Sequence, residues 1–345
     1  MEMLDGLEEE APVNGRGPTL EDVALLAGVS RATVSRVVRG DVQVRRDKVA
    51  KVQEAVRELG YVPNNAARSL ASRQTGAIAL IVPEHESRVF TDPFFVSAIS
   101  GVTAGLEESD KQLLLVLSSP QDHARTRRFL RGGHADGLLV VSHHEGDLSV
   151  EVLTEAAVPV VFIGRPPEGL RAPYVDLDNI EGGRLAARHL IERGRRRIAM
   201  ICGPQDMPAA VDRRMGFEKE LADAGLAPAW LSFGDFTLAS GERETAALLE
   251  SETPFDALFA SSDLMALGAL KKLEGQGVRV PEDVAVIGFD DIASAADDTI
   301  SLTTVVNPGR RLAELGATLL LDLIAGRETD QSVVLSPELA VRSTT

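Results

Sequence analysis

From Gly76 onward the chain repeats one pattern, a short apolar run followed by a polar stretch long enough for a helix. The runs are AIALIVP (77–83), QLLLVLSS (112–119), GLLVV (137–141), VPVVFIG (158–164), RIAMICG (197–203), ALFASSD (257–263) and VAVIGFDD (284–291). Strands that are apolar on both faces and alternate with helices belong to parallel sheets, because each crossover lays a helix over a sheet face. The alternation restarts after Asp178 with EGGRLAARHLIERG, so two sheets are expected rather than one. A molecule bound to such folds lies beyond the carboxyl ends of the strands, and between two lobes that place is a cleft.

Ahead of this body, residues 20–39 read as two short helices joined by a tight turn. Thr19 followed by Asp22 makes a capping box with Asp in place of Glu, and Val23, Ala24, Ala27 and Val29 form an apolar inner face. Gly28 stands where the chain must turn sharply, a place suited to a residue without Cβ. Ser30 can cap the second helix, with Val34 and Val37 inside and Arg31, Ala32, Thr33, Ser35 and Arg36 outside. Those outer groups are short or cationic, able to approach base edges and phosphates. Val49, Val52, Val56 and Leu59 give a third helix that closes the core. The pattern fits a helix-turn-helix reader, and it also fits a helical hairpin inside an ordinary domain.

Charge separates the segments. The chain of 345 residues carries a net charge of −16. Residues 1–18 hold five acids and one Arg, whereas residues 19–73 hold ten Lys or Arg against six acids, a local +4 on an acidic protein. A positive charge that modest gives limited non-specific affinity for DNA, so dimerisation is expected to matter. Cys202, the single cysteine, lies in an apolar run and is expected to be buried and inert. No run approaches 18 apolar residues, and the acidic start lacks the basic, apolar pattern of a secretory signal, so a cytoplasmic protein without a membrane span is expected.

The segment just beyond the third helix decides between the two readings of the front of the chain. TLEDVALLAGVSRATVSRVVRG is succeeded by YVPNNAARSLASR, and together they resemble the lac repressor and purine repressor (LacI/GalR) family along the whole chain. The resemblance implies a small all-α helix-turn-helix DNA-binding domain and an α/β two-lobed periplasmic-binding-protein-like domain with parallel sheets. It sets Arg31, Ala32 and Arg36 at base-reading positions and Thr33 and Ser35 at DNA-touching ones. Thr19, Arg39, Tyr61 and Asn64 fall at positions that contact the phosphate backbone. Residues 64–71 are implied to form a hinge helix, with Asn64 and Ala67 on DNA and Leu70 wedged into the minor groove. The chain departs from the family where Arg45, Lys48 and Val49 replace a capping Ser and a Thr-Arg pair. The expected division is an acidic leader (1–18), the DNA-binding domain (19–63), hinge and linker (64–75) and the body (76–345). Lobe 1 takes about 76–177 and 306–330, and lobe 2 about 178–305 and 331–345.

The same resemblance implies an effector site in the cleft. DPFF (92–95) offers Phe94 and Phe95 as an apolar wall, and Phe236 stands where an aromatic ring stacks on the ligand. Arg213 and Asp290 align with a guanidinium and a carboxylate that bind ligand hydroxyls or ring groups. Asp263 holds the second place of the family's Asn-Asp pair, with Ser262 replacing the Asn. Gly164 replaces a frequent Asp and leaves Arg165 beside the cleft, and His143 lines the same space or a surface loop. No Ser-His-Asp order, phosphate-binding glycine loop or metal-ligand spacing accompanies these groups, so no catalytic residue, cofactor or metal is expected. The expectation is a non-enzymatic regulator, a repressor acting as a homodimer on operator DNA under control of a carbohydrate-like small molecule. A solute-binding protein of the same body fold, and a regulator answering to a protein corepressor, remain as alternatives.

Overall fold

A computed structural model of the chain describes residues 17–38, 43–62, 74–118, 123–146, 153, 157–297, 299–329 and 332–345. It divides into two compact units, Met1–Gln74 and Thr75–Thr345.

The first unit is built on α1 (Leu20–Ala27), α2 (Arg31–Val38) and α3 (Arg46–Leu59). Thr19 and Asp22 cap α1 reciprocally, each side chain accepting the other's backbone N–H, and Gly28 ends it at φ 63°. Thr33 N donates to Ser30 Oγ at 3.3 Å, so a hydroxyl opens α2 as well. No side chain caps α3, whose Arg45 instead pairs with Asp47 at 3.3 Å, as the departure at that position foretells. Val23, Val34 and Val52 are fully buried and meet Ala24, Ala27, Ala55 and Tyr61 in one small core. Val29, Val37, Val49, Val56 and Leu59 are not fully buried.

The second unit contains β1 (Ala77–Val82), β2 (Gln112–Leu117), β3 (Gly137–Val141), β4 (Val160–Ile163), β5 (Tyr174–Leu177) and β6 (Ile198–Cys202). Beyond these come β7 (Trp230–Phe233), β8 (Ala257–Ala260), β9 (Ala285–Asp290), β10 (Thr303–Val306), β11 (Ser332–Leu335) and β12 (Glu338–Ala340). One sheet has the order β11-β5-β4-β3-β1-β2 and the other β12-β10-β9-β8-β6-β7. All neighbours run parallel except β12, which lies antiparallel to β10. The seven apolar runs all form strands, and among the described residues five further strands stand outside them. These are short and mix in polar residues, as in YVDL and TTVV, so no continuous apolar run marks them.

The chain passes from one sheet to the other three times, after β5, after β10 and between β11 and β12. This corrects one expectation. Residues 331–345 are expected in the second lobe, but Ser332–Leu335 pair with Tyr174–Leu177 and extend the first sheet. Only the segment from β12 onward belongs to the second.

Among the described residues this unit also contains helices α4 (Glu86–Val89), α5 (Pro93–Leu106), α6 (His123–Arg131), α7 (Asn179–Glu192), α8 (Pro208–Asp223), α9 (Leu238–Glu250), α10 (Asp263–Gly275) and α11 (Gly309–Ile324). Three pairs pack closely, α5 with α11, α7 with α8, and α9 with α10. Glycines permit the approach. A Cβ on Gly183 would fall 2.0 Å from the carbonyl oxygen of Arg213, and one on Gly216 would fall 1.9 Å from that of Ile180.

Helix propensity alone favours Gly183→Ala by about 1 kcal/mol. Backbone atoms of α8 cannot yield as a flexible side chain would, and overpacking of this kind costs about 1–3 kcal/mol or more. The variant is therefore expected to unfold at a lower urea midpoint than the parent. An unchanged or higher midpoint would show that the helices are free to separate.

Candidate functional site

On the first unit, α2 carries Arg31, Ala32, Ser35 and Arg36 around the buried Val34, with Ala32 and Arg36 on the side opposite it. Arg31, Ala32 and Arg36 are exposed, while Thr33 and Ser35 are half-buried. Thr33 is tied to Ser30 by a 2.9 Å hydroxyl contact, and Arg31 pairs with Glu21 of α1 at 3.0 Å. An exposed pair of this kind contributes little and leaves the guanidinium available to a phosphate or base. Thr19 is engaged in its capping box. Tyr61 is a core residue, with its ring buried among the valines. Arg39, Asn64, Ala67 and Leu70, with the rest of the hinge segment, lie outside the described residues.

The second unit contains a cleft of about 770 Å³, its open mouth included. It lies at strand ends and helix starts. Ser142 and His143 follow β3, Gly164 and Arg165 follow β4, Asp176 and Leu177 end β5, and Asp290 ends β9. Helix α8 supplies Pro208, Ala209 and Arg213, and Phe94, Phe236, Ile163 and Leu312 provide apolar wall.

Arg213 is the cleft's most enclosed cation. Its Nε donates to Asn179 Oδ1 at 2.9 Å and its Nη1 to the Ser261 carbonyl at 2.6 Å. Nη2 lies 3.7 Å from Asp290 Oδ1, and the guanidinium carbon stands 3.6 Å from the centroid of Phe289. Burial pulls its pKa down while Asp290 and Asp176 oppose the change. Asp290 also accepts from Asn307 Nδ2 at 3.1 Å. Burial pushes Asp290 up to about 6 against the pull of Arg213. Its φ of 115°, followed by 57° at Asp291, places two successive non-glycine residues in the left-handed region. Such residues cost about 1–3 kcal/mol each and persist where surroundings over-determine them.

The other arginines of the cleft are also engaged. Arg88 donates to Glu84 at 2.6 Å. Arg165 makes a forked pair with Asp212, Nη2 to Oδ1 at 2.9 Å and Nε to Oδ2 at 3.1 Å, joining the first lobe to the second. A second link between the lobes passes through His144, which contacts Glu84 at 3.2 Å and Asp206 at 3.0 Å. Although burial opposes its charge, those carboxylates raise His144 to about 9, so it is a cation at neutral pH. The adjacent His143 has the opposite character. Burial, with the neighbouring His144 charge, lowers it to about 4. Its ring packs edge-on against Phe162, and neither ring nitrogen has a hydrogen-bond partner. Asp176 is raised to about 6 by burial and accepts from the Leu177 and Arg165 backbone N–H groups and from Asn179.

Six of the nine residues expected in the cleft line it together: Phe94, His143, Arg165, Arg213, Phe236 and Asp290. Three do not. Phe95 is 1% exposed and packs in the core, because α5 turns it inward while Phe94 faces the cavity. Ser262 is spent capping α10, where Met265 N donates to it at 3.3 Å. Asp263 is fully buried behind the cavity wall. Arg88, Asp92, Asp176, Asn179 and Asn307 also line the cleft, beyond the residues that the sequence points to. Asp176 and Asn179 have a signal, polar groups alternating with Val175 and Leu177 at a strand end. Arg88 has none, sitting on a four-residue helix in a connecting segment. Cys202 is buried, which pushes its thiol up to about 12. Among the described residues no cluster of three His, Cys, Asp or Glu could hold a metal, and no helix is long and apolar enough to cross a membrane.

Residues 19–64 match the model of bacterial regulatory proteins of the lacI family, and residues 187–345 that of a periplasmic binding protein-like domain. The chain is similar to the HTH-type transcriptional regulator CelR of Thermobifida fusca, 45% identical over 95% of this chain and 98% of the relative. A solved structure of the transcriptional regulator CelR in complex with cellobiose is 43% identical, with a TM-score of 0.75, covering 95% of this chain and 100% of the other. The lac repressor dimer bound to operator and the anti-inducer ONPF is 26% identical, with a TM-score of 0.86, covering 95% and 99%. A capped helix pair with a cationic outer face, a two-sheet body with a cleft and similarity over nearly the full length agree: the chain belongs to the LacI family of bacterial transcriptional regulators, DNA-binding proteins with a periplasmic-binding-like body.

Proposed function

We propose that this protein is a repressor that binds operator DNA as a homodimer through α2, with its grip set by a neutral sugar in the cleft. The observation that carries the effector class is the pairing of charge. Arg88, Arg165 and Arg213 each already face a carboxylate, leaving no cleft arginine unopposed for a phosphate or carboxylate on the ligand. The cleft-lining atoms without partners are the two ring nitrogens of His143, Asn307 Oδ1 and Arg88 Nε, the last on a guanidinium whose charge Glu84 already offsets. Beside them stand Phe94 and Phe236, suited to the apolar face of a sugar ring. Hydroxyls, which donate and accept at once, complement that set. Similarity to a regulator solved with cellobiose makes a β-linked glucose disaccharide the first probe.

The reading extends to assembly and place. The first lobe exposes Phe90, Val96, Leu114 and Leu115, and burial against a second copy would remove these apolar groups from water. Two copies would present two α2 faces to a near-palindromic operator. Such a protein works where the chromosome is, in the cytoplasm, and binds without turning over its ligand. Coupling between cleft and operator would run through residues 63–73, the segment between body and reader in sequence, by differential affinity of the sugar for two body states.

Thermal unfolding of the full chain tests the effector class. Cellobiose and related neutral disaccharides are expected to raise the melting temperature, because a ligand of the folded state stabilises it. Glucose 6-phosphate is expected to leave it unchanged. A shift with the phosphate alone contradicts the neutral reading.

Acid should weaken binding. If a ligand hydroxyl donates to ionised Asp290, ligand-free protein below about pH 6 must first lose the proton that burial favours there. Affinity measured by calorimetry is then constant above pH 7 and declines below 6, and Asp290→Asn flattens part of that decline. The free protein shows the reverse trend. An acid raised from 3.8 to about 6 binds more protons folded than unfolded, so this group's contribution to stability falls as pH rises between those values. Equal affinity at pH 5 and pH 8 contradicts the role of Asp290.

A further inference from the structure

We propose that Asp263 is a positioning residue for the cleft: without touching the ligand, its carboxyl group fixes the turn after β9 and so aims the Asp290 carboxylate into the site. The inference rests on the cleft being the effector site.

Asp263 opens α10 and is wholly enclosed. One of its oxygens accepts from the backbone N–H of Ile292 at 2.9 Å, the other from Thr304 Oγ1 at 2.6 Å. Ile292 is the residue at which the chain leaves the left-handed pair Asp290 and Asp291. A turn of that kind needs to be held from several sides. Arg342 Nη2 holds the Asp291 side chain at 2.5 Å, and Asn307 holds Asp290 through its side chain at 3.1 Å and its backbone N–H at 3.4 Å. Asp263 holds the turn's exit through the Ile292 main chain. Space for it is built into β9, since a Cβ on Gly288 would lie 2.2 Å from Asp263 Oδ1.

The charge arrangement suits an indirect role. Burial, and then the nearby Asp290, push Asp263 up to about 8, whereas Asp290 is at about 6. Of the pair, Asp263 is the one that burial and like charge favour as the neutral acid, and Asp290 the one that Arg213 favours as a carboxylate. As a neutral acid Asp263 keeps one oxygen to accept from Ile292 N, and its O–H can donate to Thr304 Oγ1 in place of accepting from it. An amide can do the same, with oxygen toward Ile292 and NH2 toward Thr304. A serine is too short to reach.

The test uses full-length Asp263→Ser and Asp263→Asn, alone and combined with Asp290→Asn, with cellobiose as probe, and crystal structures of the ligand-free proteins. Asp263→Ser is expected to weaken cellobiose binding about tenfold or more, Asp263→Asn to restore most of it, and the serine change to cost nothing further once Asp290 is Asn. In the ligand-free Asp263→Ser structure the Asp290 carboxylate is expected to leave Asn307. Should the serine protein not fold, Thr304→Val, which removes the other anchor of the carboxyl group, takes its place with the same expected direction. Parent-like binding by the serine protein, losses that add fully in the double variant, or an unmoved turn in the crystal overturns the proposal. A parent that does not bind cellobiose counts against the effector reading alone, and the crystal comparison then decides on Asp263.

Discussion

A guanidinium buried at the cleft edge of the second lobe fixes most of what the second unit can do. Removing an arginine from water costs several kcal/mol unless its donors are met, so Arg213 dictates its neighbours. Asn179 at the start of α7, the Ser261 carbonyl after β8, Asp290 at the end of β9 and the Phe289 ring all converge on it. These groups are scattered along the sequence, and each is placed by its own element. Gly183 and Gly216 let α8 sit close enough on α7 for the side chain to reach them. Of these groups Asn179 and Asp290 also line the cleft, so the fold's internal electrostatics and the chemistry of the cleft share contacts.

Two lobes joined by three crossings gain further connection from charge. Arg165–Asp212 and the bridge from Glu84 through His144 to Asp206 span the lobes. A ligand that favours one lobe angle must offset or exploit these links, which is how a neutral molecule can exert leverage on a charged framework. The reader domain answers a different need. Its cationic face is small, its net charge slight, and one of its arginines rests on Glu21. Affinity so limited per copy gives weight to pairing of copies and to whatever the body transmits.

Much of this is legible in the sequence, for physical reasons that also mark where reading stops. Long apolar runs declare β1, β3, β6 and β9, and the Thr19, Asp22 and Gly28 signals declare the helix pair, because caps and buried strands have local chemistry. Short strands such as TTVV carry little local signal, and SVVL joins the first sheet only because the chain returns there after α11. Family likeness brings Arg213, Phe236 and Asp290 to the cavity, yet it also brings Asp263 and Phe95, whose direction depends on helix register. Arg88 and Asn307 are invisible to it, since only tertiary packing gives an isolated polar residue its neighbours.

The central claim is that cleft and operator share one equilibrium. It is tested most directly by titrating operator DNA with full-length protein at fixed salt, with and without a saturating amount of the neutral disaccharide that stabilises the body. Operator affinity is expected to change about tenfold or more, a coupling of about 1.4 kcal/mol, and Asp290→Asn protein at the same sugar concentration to change far less. Identical operator affinity with the cleft of the parent protein filled and empty would contradict the claim.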